Sequence, residues 1–402
     1  MKRKISLFCI VLSMSIIVNQ IVFASEDVKN ESNDETQIKL LLNNYFKDKY
    51  ESLAHLKMNS KMKSYFDSEQ NLEYMDLDTL IKFRKIQNTD LSFEKYNCDI
   101  KFRVINVSGN MAKVSLGEYT KINYNCSEGI VSEEEQDHIF DLEKKNGKWN
   151  IKGDDIEGEF KETFKSIIKD NKDNKAVIKN KQTEIIKTAK AYQEQLNQQQ
   201  IISPKNLELD TTASAKKKYK LTSYNRNKAK AYALKYALKP NPNYPFYSGD
   251  GDCTNFTSQC LKAGGIIEDK QGKEESKKWY RYNSSWKGAQ MFHNYWRENK
   301  GSLSVKGLKA SKTNMKGCRL GDIVQKVPWN KKVGQYTATH SVIISGYVPN
   351  PLTPSDPWNN KKDVFICQHS DSKKKNMLRN VPLSSRGWMA QAKFVHISGS
   401  YN

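Results

Sequence analysis

The chain has 402 residues, a formal net charge of +21 and 37% hydrophobic residues, so it is longer than one ordinary core requires. Such a charge invites a nucleic-acid reading. Against it, the lysines are scattered, many beside Asn, and no aromatic RNA-binding motif, zinc finger or helix-turn-helix signature is present, so nucleic acid is not expected as a partner.

Met1 to Lys4 is a basic start, Ile5 to Phe23 is apolar, and Val22-Phe23-Ala24 offers small-residue cleavage before polar Ser25-Glu26-Asp27. Residues 1–24 therefore read as a signal peptide, and no later stretch is long and apolar enough to span a membrane. The expected product is secreted or envelope-associated, with no stable span after signal removal. Loss of Lys2, Arg3 and Lys4 leaves +18, which suits an anionic wall polymer.

Residues 34–156 read as an α+β domain. Ile38, Leu41, Leu42, Tyr45 and Phe46 mark an amphipathic helix, and Leu53 to Phe66 and Asp76 to Ile86 continue helical. Strands follow over Phe93 to Val107 and Met111 to Tyr124, then His138 to Lys144 and Lys148 to Lys152 around the turn Asn146-Gly147. Helices followed by a curved antiparallel sheet resemble cystatin-like or scytalone-dehydratase-like folds. His55 and His138 read as isolated surface or strand histidines. Cys98 and Cys126 lie on separate expected strands, in a compartment that permits a bridge.

Residues 157–221 read as a helical segment and a polar linker. Ile178, Ile185, Ala189, Tyr192 and Leu196 form a short apolar seam that packs on a neighbouring domain rather than sustaining a coiled coil. The linker ends in Lys216-Lys217-Lys218.

Residues 222–402 carry the chemistry. The Gly- and Asp-rich run from Gly249 to Asp252 delivers Cys253 to the first turn of a helix on which Phe256, Cys260 and Ala263 recur, ended by Gly264-Gly265. A thiol at a helix N-terminus meets the positive end of the dipole and unpartnered N–H groups, conditions that favour a nucleophile and can hold an oxyanion. His340 opens the β-branched run Val342-Ile343-Ile344, a strand paired with Ile323 to Gln325, and can serve as base. The strand Asp363 to His369 comes next, and its terminal His369 is the candidate third residue that orients His340, with Asp371 as competitor. The cysteine and histidine spacings fit no zinc motif, so no metal is expected.

These residues resemble the bacterial putative-amidase domain family, related to NlpC-type and CHAP papain-like cysteine hydrolases. The resemblance runs from Tyr224-Asn225-Arg226 through Asn241-Pro242-Tyr244-Pro245 and Asp252-Cys253-Thr254-Asn255-Phe256, then through Trp279, Ser285-Trp286 and Leu320-Gly321-Asp322. It ends with His340-Ser341-Val342-Ile343 and Gln368-His369-Ser370-Asp371. It implies a papain-like α+β fold with Cys253 as nucleophile, His340 as base and His369 in the orienting position. Asp252, Tyr244 and Trp286 are the candidates for substrate contact or for completing the oxyanion site. Cys253 and His340 are 87 positions apart, more than in minimal NlpC-type domains, and the extra segment with Trp279, Trp286, Phe292, Tyr295 and Trp296 either shapes the cleft or is core.

The expected function is a secreted cysteine hydrolase of amide bonds, an amidase or endopeptidase of cell-wall peptides, working without metal or organic cofactor. The alternatives are a non-catalytic wall- or surface-binding protein on the same fold, and a Cys–His acyltransferase that uses an amine in place of water.

Overall fold

The structure, a computed structural model, describes residues 33–156, 158–170, 175–199, 220–247, 251–271, 274, 277–298, 307–350, 358–369 and 375–401. The expected signal peptide, almost all of the linker and Asp371 lie outside them.

Helix α1 (Asn33–Ala54) buries Ile38, Leu42, Tyr45, Phe46 and Leu53, the stripe expected from its spacing. The expected helix over Leu53 to Phe66 is shorter: the chain closes α1 and makes only a 3-10 turn over Ser60–Tyr65. Helix α2 (Leu72–Lys85) is capped by Asn71, whose side chain accepts from the Glu73 N–H at 2.9 Å. Four antiparallel strands follow: β1 (Phe93–Ser108), β2 (Met111–Tyr124), β3 (Ser132–Lys145) and β4 (Lys148–Asp154). The β3–β4 turn puts Asn146 at φ 51° and Gly147 at φ 77°, as a two-residue hairpin loop with both central residues left-handed requires. Cys98 and Cys126 are free thiols rather than a bridge.

Helices α3 (Lys161–Asp170) and α4 (Lys175–Gln198) then cross to the second half. The seam residues Ile178, Ala189 and Leu196 share one buried cluster with Met75 and Phe83 of α2 and with Met315, Val342, Val364 and Trp388 far along the chain. The seam is thus the packing face between the two halves.

The C-terminal half contains β5 (Leu221–Ser223), α5 (Arg226–Tyr236), α6 (Cys253–Ala263), α7 (Ser284–Lys287), α8 (Ala289–Glu298) and β6 (Gly307–Thr313). Then come β7 (Ile323–Lys326), the small hairpin β8 (Trp329–Asn330) and β9 (Gln335–Tyr336), β10 (His340–Val348), β11 (Asp363–Gln368), β12 (Asn376–Pro382) and β13 (Ala392–Tyr401). The mixture of helix and sheet agrees with an α+β class.

Among the described residues, one sheet runs β1-β2-β3-β12-β11-β10-β7-β13-β5, with β4 added to β3 and β6 to β13. It therefore continues across the expected domain boundary. The junction pairs Glu133, Glu134, Glu135 and Gln136 of β3 with Arg379, Leu378, Met377 and Asn376 of β12. Arg379 forms an ion pair with Glu133, and Lys375 reaches Glu135 at 2.9 Å. The β12–β11–β10–β7 stretch carries one core on each face. Val342, Ile344, Val364 and Ile366 face α4, whereas Ile323, Ile343 and Cys367 share a cluster with Phe256 and Cys260 of α6 and with Trp279 and Trp286.

Candidate active site

Gly251, at φ 85°, turns the chain into α6 in a conformation that favours glycine. Asp252 then holds the N-cap position and Cys253 the first helical position. Every residue from Cys253 to Leu261 is buried, so this helix runs through the protein rather than over it. Cys253 itself is 3% exposed. The other C-terminal cysteines sit in plain core: burial pushes the Cys260 thiol well up, carries Cys318 up to about 12 and raises Cys367.

The residue after Cys253 ties α6 to the strand of His340. Thr254 donates to the Ser341 hydroxyl at 3.0 Å. Ser341 also accepts from the Gln325 side-chain amide of β7 at 3.1 Å, while the Gln325 oxygen accepts from His293 at 2.8 Å and from the Trp296 indole at 3.0 Å. Cys253 and His340 are each one residue from the Thr254–Ser341 bond, about 3.8 Å along the chain at either end. The structure therefore ties together the chain neighbours of the expected nucleophile and base, where α6 meets β10.

The expected orienting residue is corrected. His340 Nε2 bonds to the Gln368 oxygen at 2.8 Å, not to His369. The register explains this. Ile343 lies opposite Cys367, so Val342 falls opposite Gln368, and residues two apart share a face. His340, Val342 and Gln368 then line one face, and Ser341, Ile343, Cys367 and His369 the other. Trp388 packs edge-on to the His340 ring, with centroids 6.2 Å apart.

His369 packs on α6 as its strand face predicts, but it serves Asp252. Its ring stacks on Phe256 at 4.0 Å, Nδ1 lies 2.5 Å from Asp252 Oδ2, and Nε2 lies 2.8 Å from the Tyr236 carbonyl. A carbonyl oxygen only accepts, so Nε2 carries a hydrogen, and the Nδ1 contact holds a proton between imidazole and carboxyl. The other Asp252 oxygen accepts from the Tyr247 N–H at 3.0 Å and from the Asn255 amide at 2.7 Å.

The structure places two of the expected substrate-contact residues, Asp252 and Trp286, inside the protein. Asp252 is 1% exposed and engaged inside, so it braces the turn before Cys253, and its side chain does not cap the helix. Trp286 is wholly buried, and its indole donates to Asn255 Oδ1 at 2.7 Å. The aromatic extra segment is therefore core: Trp279 packs on Trp286 at 4.8 Å, and half-buried Tyr244 stacks over Trp286 at 6.2 Å. Of the three candidates only Tyr244 keeps an exposed part.

Asp322 of the Leu320-Gly321-Asp322 piece is a structural hub. It accepts from Arg226 at 2.7 Å and from the Arg319 and Ile397 N–H groups at 2.7 and 3.0 Å, and lies 3.0 Å from His396. Burial alone would raise its pKa, but Arg226 and His396 outweigh that and hold it below the usual range.

The N-terminal half holds a buried polar cluster that its sequence does not announce. His138, read as a strand or surface residue, lies 2.6 Å from Asp154 and 2.7 Å from Glu118, with its ring stacked on Phe140. Burial pushes its pKa down, but Asp154 and Glu118 outweigh that and raise it to about 9. Burial would likewise raise Glu118, yet Lys49, His138 and Tyr50 bring it down to about 2.

Among the described residues no helix is long and apolar enough to cross a membrane. The chain is 33% identical over 145 residues to the uncharacterized protein YjcM of Bacillus subtilis (strain 168). That match spans 35% of this chain and 32% of the relative, about a third of its length. No solved structure matches. Residues 223–397, which contain the whole corner built around Cys253, His340 and Gln368, match the family described as Putative amidase domain, a description that suggests amide hydrolysis.

Proposed function

We propose that the C-terminal half is a papain-like cysteine amidase that uses Cys253 as nucleophile, His340 as base and Gln368 as the orienting residue. The observation that carries this reading is the local order. A buried cysteine opens a helix, its neighbour Thr254 bonds to the neighbour of His340, and His340 bonds onward to Gln368 at 2.8 Å.

In the reaction His340 takes the Cys253 thiol proton, the sulfur bonds to the substrate carbonyl carbon, and the oxyanion is held by N–H donors at the α6 N-terminus. Collapse breaks the carbon–nitrogen bond, with the His340 proton going to the leaving amine. A water molecule then gives a proton to His340 and attacks the thioester carbonyl; the carbon–sulfur bond breaks, the acid leaves, and His340 returns the proton to the Cys253 sulfur.

Cell-wall peptide is the proposed substrate class, and export the proposed route. The basic, apolar start of the chain and its net charge of +21 suit an exported protein working on an anionic wall. The helices-then-antiparallel-sheet order of residues 33–154 supports the cystatin-like or scytalone-dehydratase-like reading of the N-terminal half.

The test is mass spectrometry of purified wall fragments incubated with the mature chain. Cys253→Ala and His340→Ala should abolish product while Cys260→Ala retains it. Full hydrolysis by a folded Cys253→Ala protein would falsify the mechanism.

A further inference from the structure

The Cys–His corner is linked through Gln368 to β12, the strand that pairs with the N-terminal sheet. Gln368 presents its side-chain nitrogen to Asn376, 3.2 Å from Oδ1 and 3.4 Å from the main-chain carbonyl. A main-chain carbonyl only accepts, so the group facing it is the amide NH2, and the amide oxygen is left pointing at His340. That oxygen also only accepts. His340 Nε2, 2.8 Å away, must therefore carry the hydrogen, which in the neutral ring leaves the lone pair on Nδ1.

Asn376 is the first residue of β12 and lies opposite Gln136 of β3, in the N-terminal half. The junction is fastened on both sides of this position. The Asp137 N–H donates to the Lys375 carbonyl at 2.9 Å, Lys375 reaches Glu135 at 2.9 Å, and Arg379 is paired with Glu133. A continuous line of contacts thus runs from β3 through Asn376 and Gln368 to His340.

We propose that Asn376 is a positioning residue held by the N-terminal sheet, and that through Gln368 it selects the His340 tautomer whose Nδ1 is basic. The N-terminal half is then part of the catalytic apparatus as well as a neighbour of it. This rests on the reading of His340 as the base, but the tautomer is measurable without any turnover.

The experiment uses the full-length protein with 15N-labelled histidine, and His340→Ala to identify the His340 signals. Long-range proton–nitrogen spectra at pH 8 report which ring nitrogen carries the hydrogen. The expected result is Nε2–H in the wild type, retained in Asn376→Asp, and a mixture of tautomers in Asn376→Ala. In parallel, iodoacetamide labelling of Cys253, followed by peptide mass spectrometry across pH 5 to 9, should be about tenfold slower in Asn376→Ala near neutrality and restored in Asn376→Asp. Lys375→Gln with Arg379→Gln, which loosens β12 from β3 outside the site, should slow it about threefold.

A wild-type His340 with its hydrogen on Nδ1 overturns the proposal without any variant. So does a folded Asn376→Ala protein with unchanged tautomer and labelling. A wild type with Nε2–H whose Cys253 labels no faster than Cys260 supports the positioning role and overturns the catalytic reading alone.

Discussion

His369→Ala should damage the fold before it damages the chemistry. Asp252 is 1% exposed, and three groups serve it: the Tyr247 N–H, the Asn255 amide and the His369 ring at 2.5 Å. Removing the ring leaves a buried carboxyl without its proton-sharing partner, and Phe256 without the ring stacked on it at 4.0 Å. Breaking a buried pair by deleting one member costs about 3–5 kcal/mol, a large part of an ordinary folding free energy. In a chain of this size that is about 4–6 °C in Tm. The assay is thermal and urea denaturation of the single variants His369→Ala and Asp252→Ala and of the double variant, with turnover measured well below each Tm. The double variant should be less destabilised than the sum of the singles by about 1–3 kcal/mol, since the first deletion already removes the interaction. Residual turnover at low temperature should stay within about tenfold of the wild type, because His340 keeps its bond to Gln368. A His369→Ala protein that melts like the wild type yet has lost turnover would refute this and return His369 to the orienting position.

Gln368→Ala should show the opposite pattern, with kcat reduced about ten- to a hundredfold, KM little changed and a smaller loss than in His340→Ala, as steady-state kinetics will show. Trp286→Phe removes the indole donor to Asn255 at 2.7 Å and should lower stability by about 1–3 kcal/mol in urea titration, with substrate affinity unchanged; a rise in KM alone would restore the cleft role of Trp286. His138 is raised to about 9 from an ordinary value near 6.5, so its stabilisation is complete below about 6.5 and disappears as pH rises through 9. Urea unfolding at pH 6.5 and pH 10 should therefore show a loss on the order of 3 kcal/mol that His138→Gln largely abolishes.

What could be read from the sequence follows from how local each signal is. The helix of Cys253, the hairpin turn at Asn146-Gly147 and the strand from His340 rest on residues a few positions apart, and they stand where composition and spacing put them. The apolar seam of α4 was legible as a seam, but its partners Met315 and Trp388 lie more than a hundred residues away and leave no mark in its own periodicity. The β3–β12 junction is less legible still. Glu133, Glu134 and Glu135 look like a solvated acidic run until Arg379 and Lys375 are placed beside them. Likewise His138 becomes a buried charge only when the fold brings Glu118 and Asp154 to its two nitrogens.

The assignment of the third residue shows where strand logic needs one more number. Alternation correctly separates Gln368 from His369, and it correctly sends His369 toward α6. Which of the two meets His340 depends on the face that His340 itself occupies, and that depends on register. With Ile343 opposite Cys367, His340 shares a face with Gln368; a slip of one residue would have handed it His369 instead. Histidine is the more conspicuous residue type, and chemical familiarity favours it, but register outranks residue type here. The polar residue that register selects is a neutral amide, whose oxygen can fix an imidazole tautomer without adding charge to the corner. That arrangement works only if the amide cannot rotate, and the grip of Asn376 from β12 on Gln368 supplies the constraint.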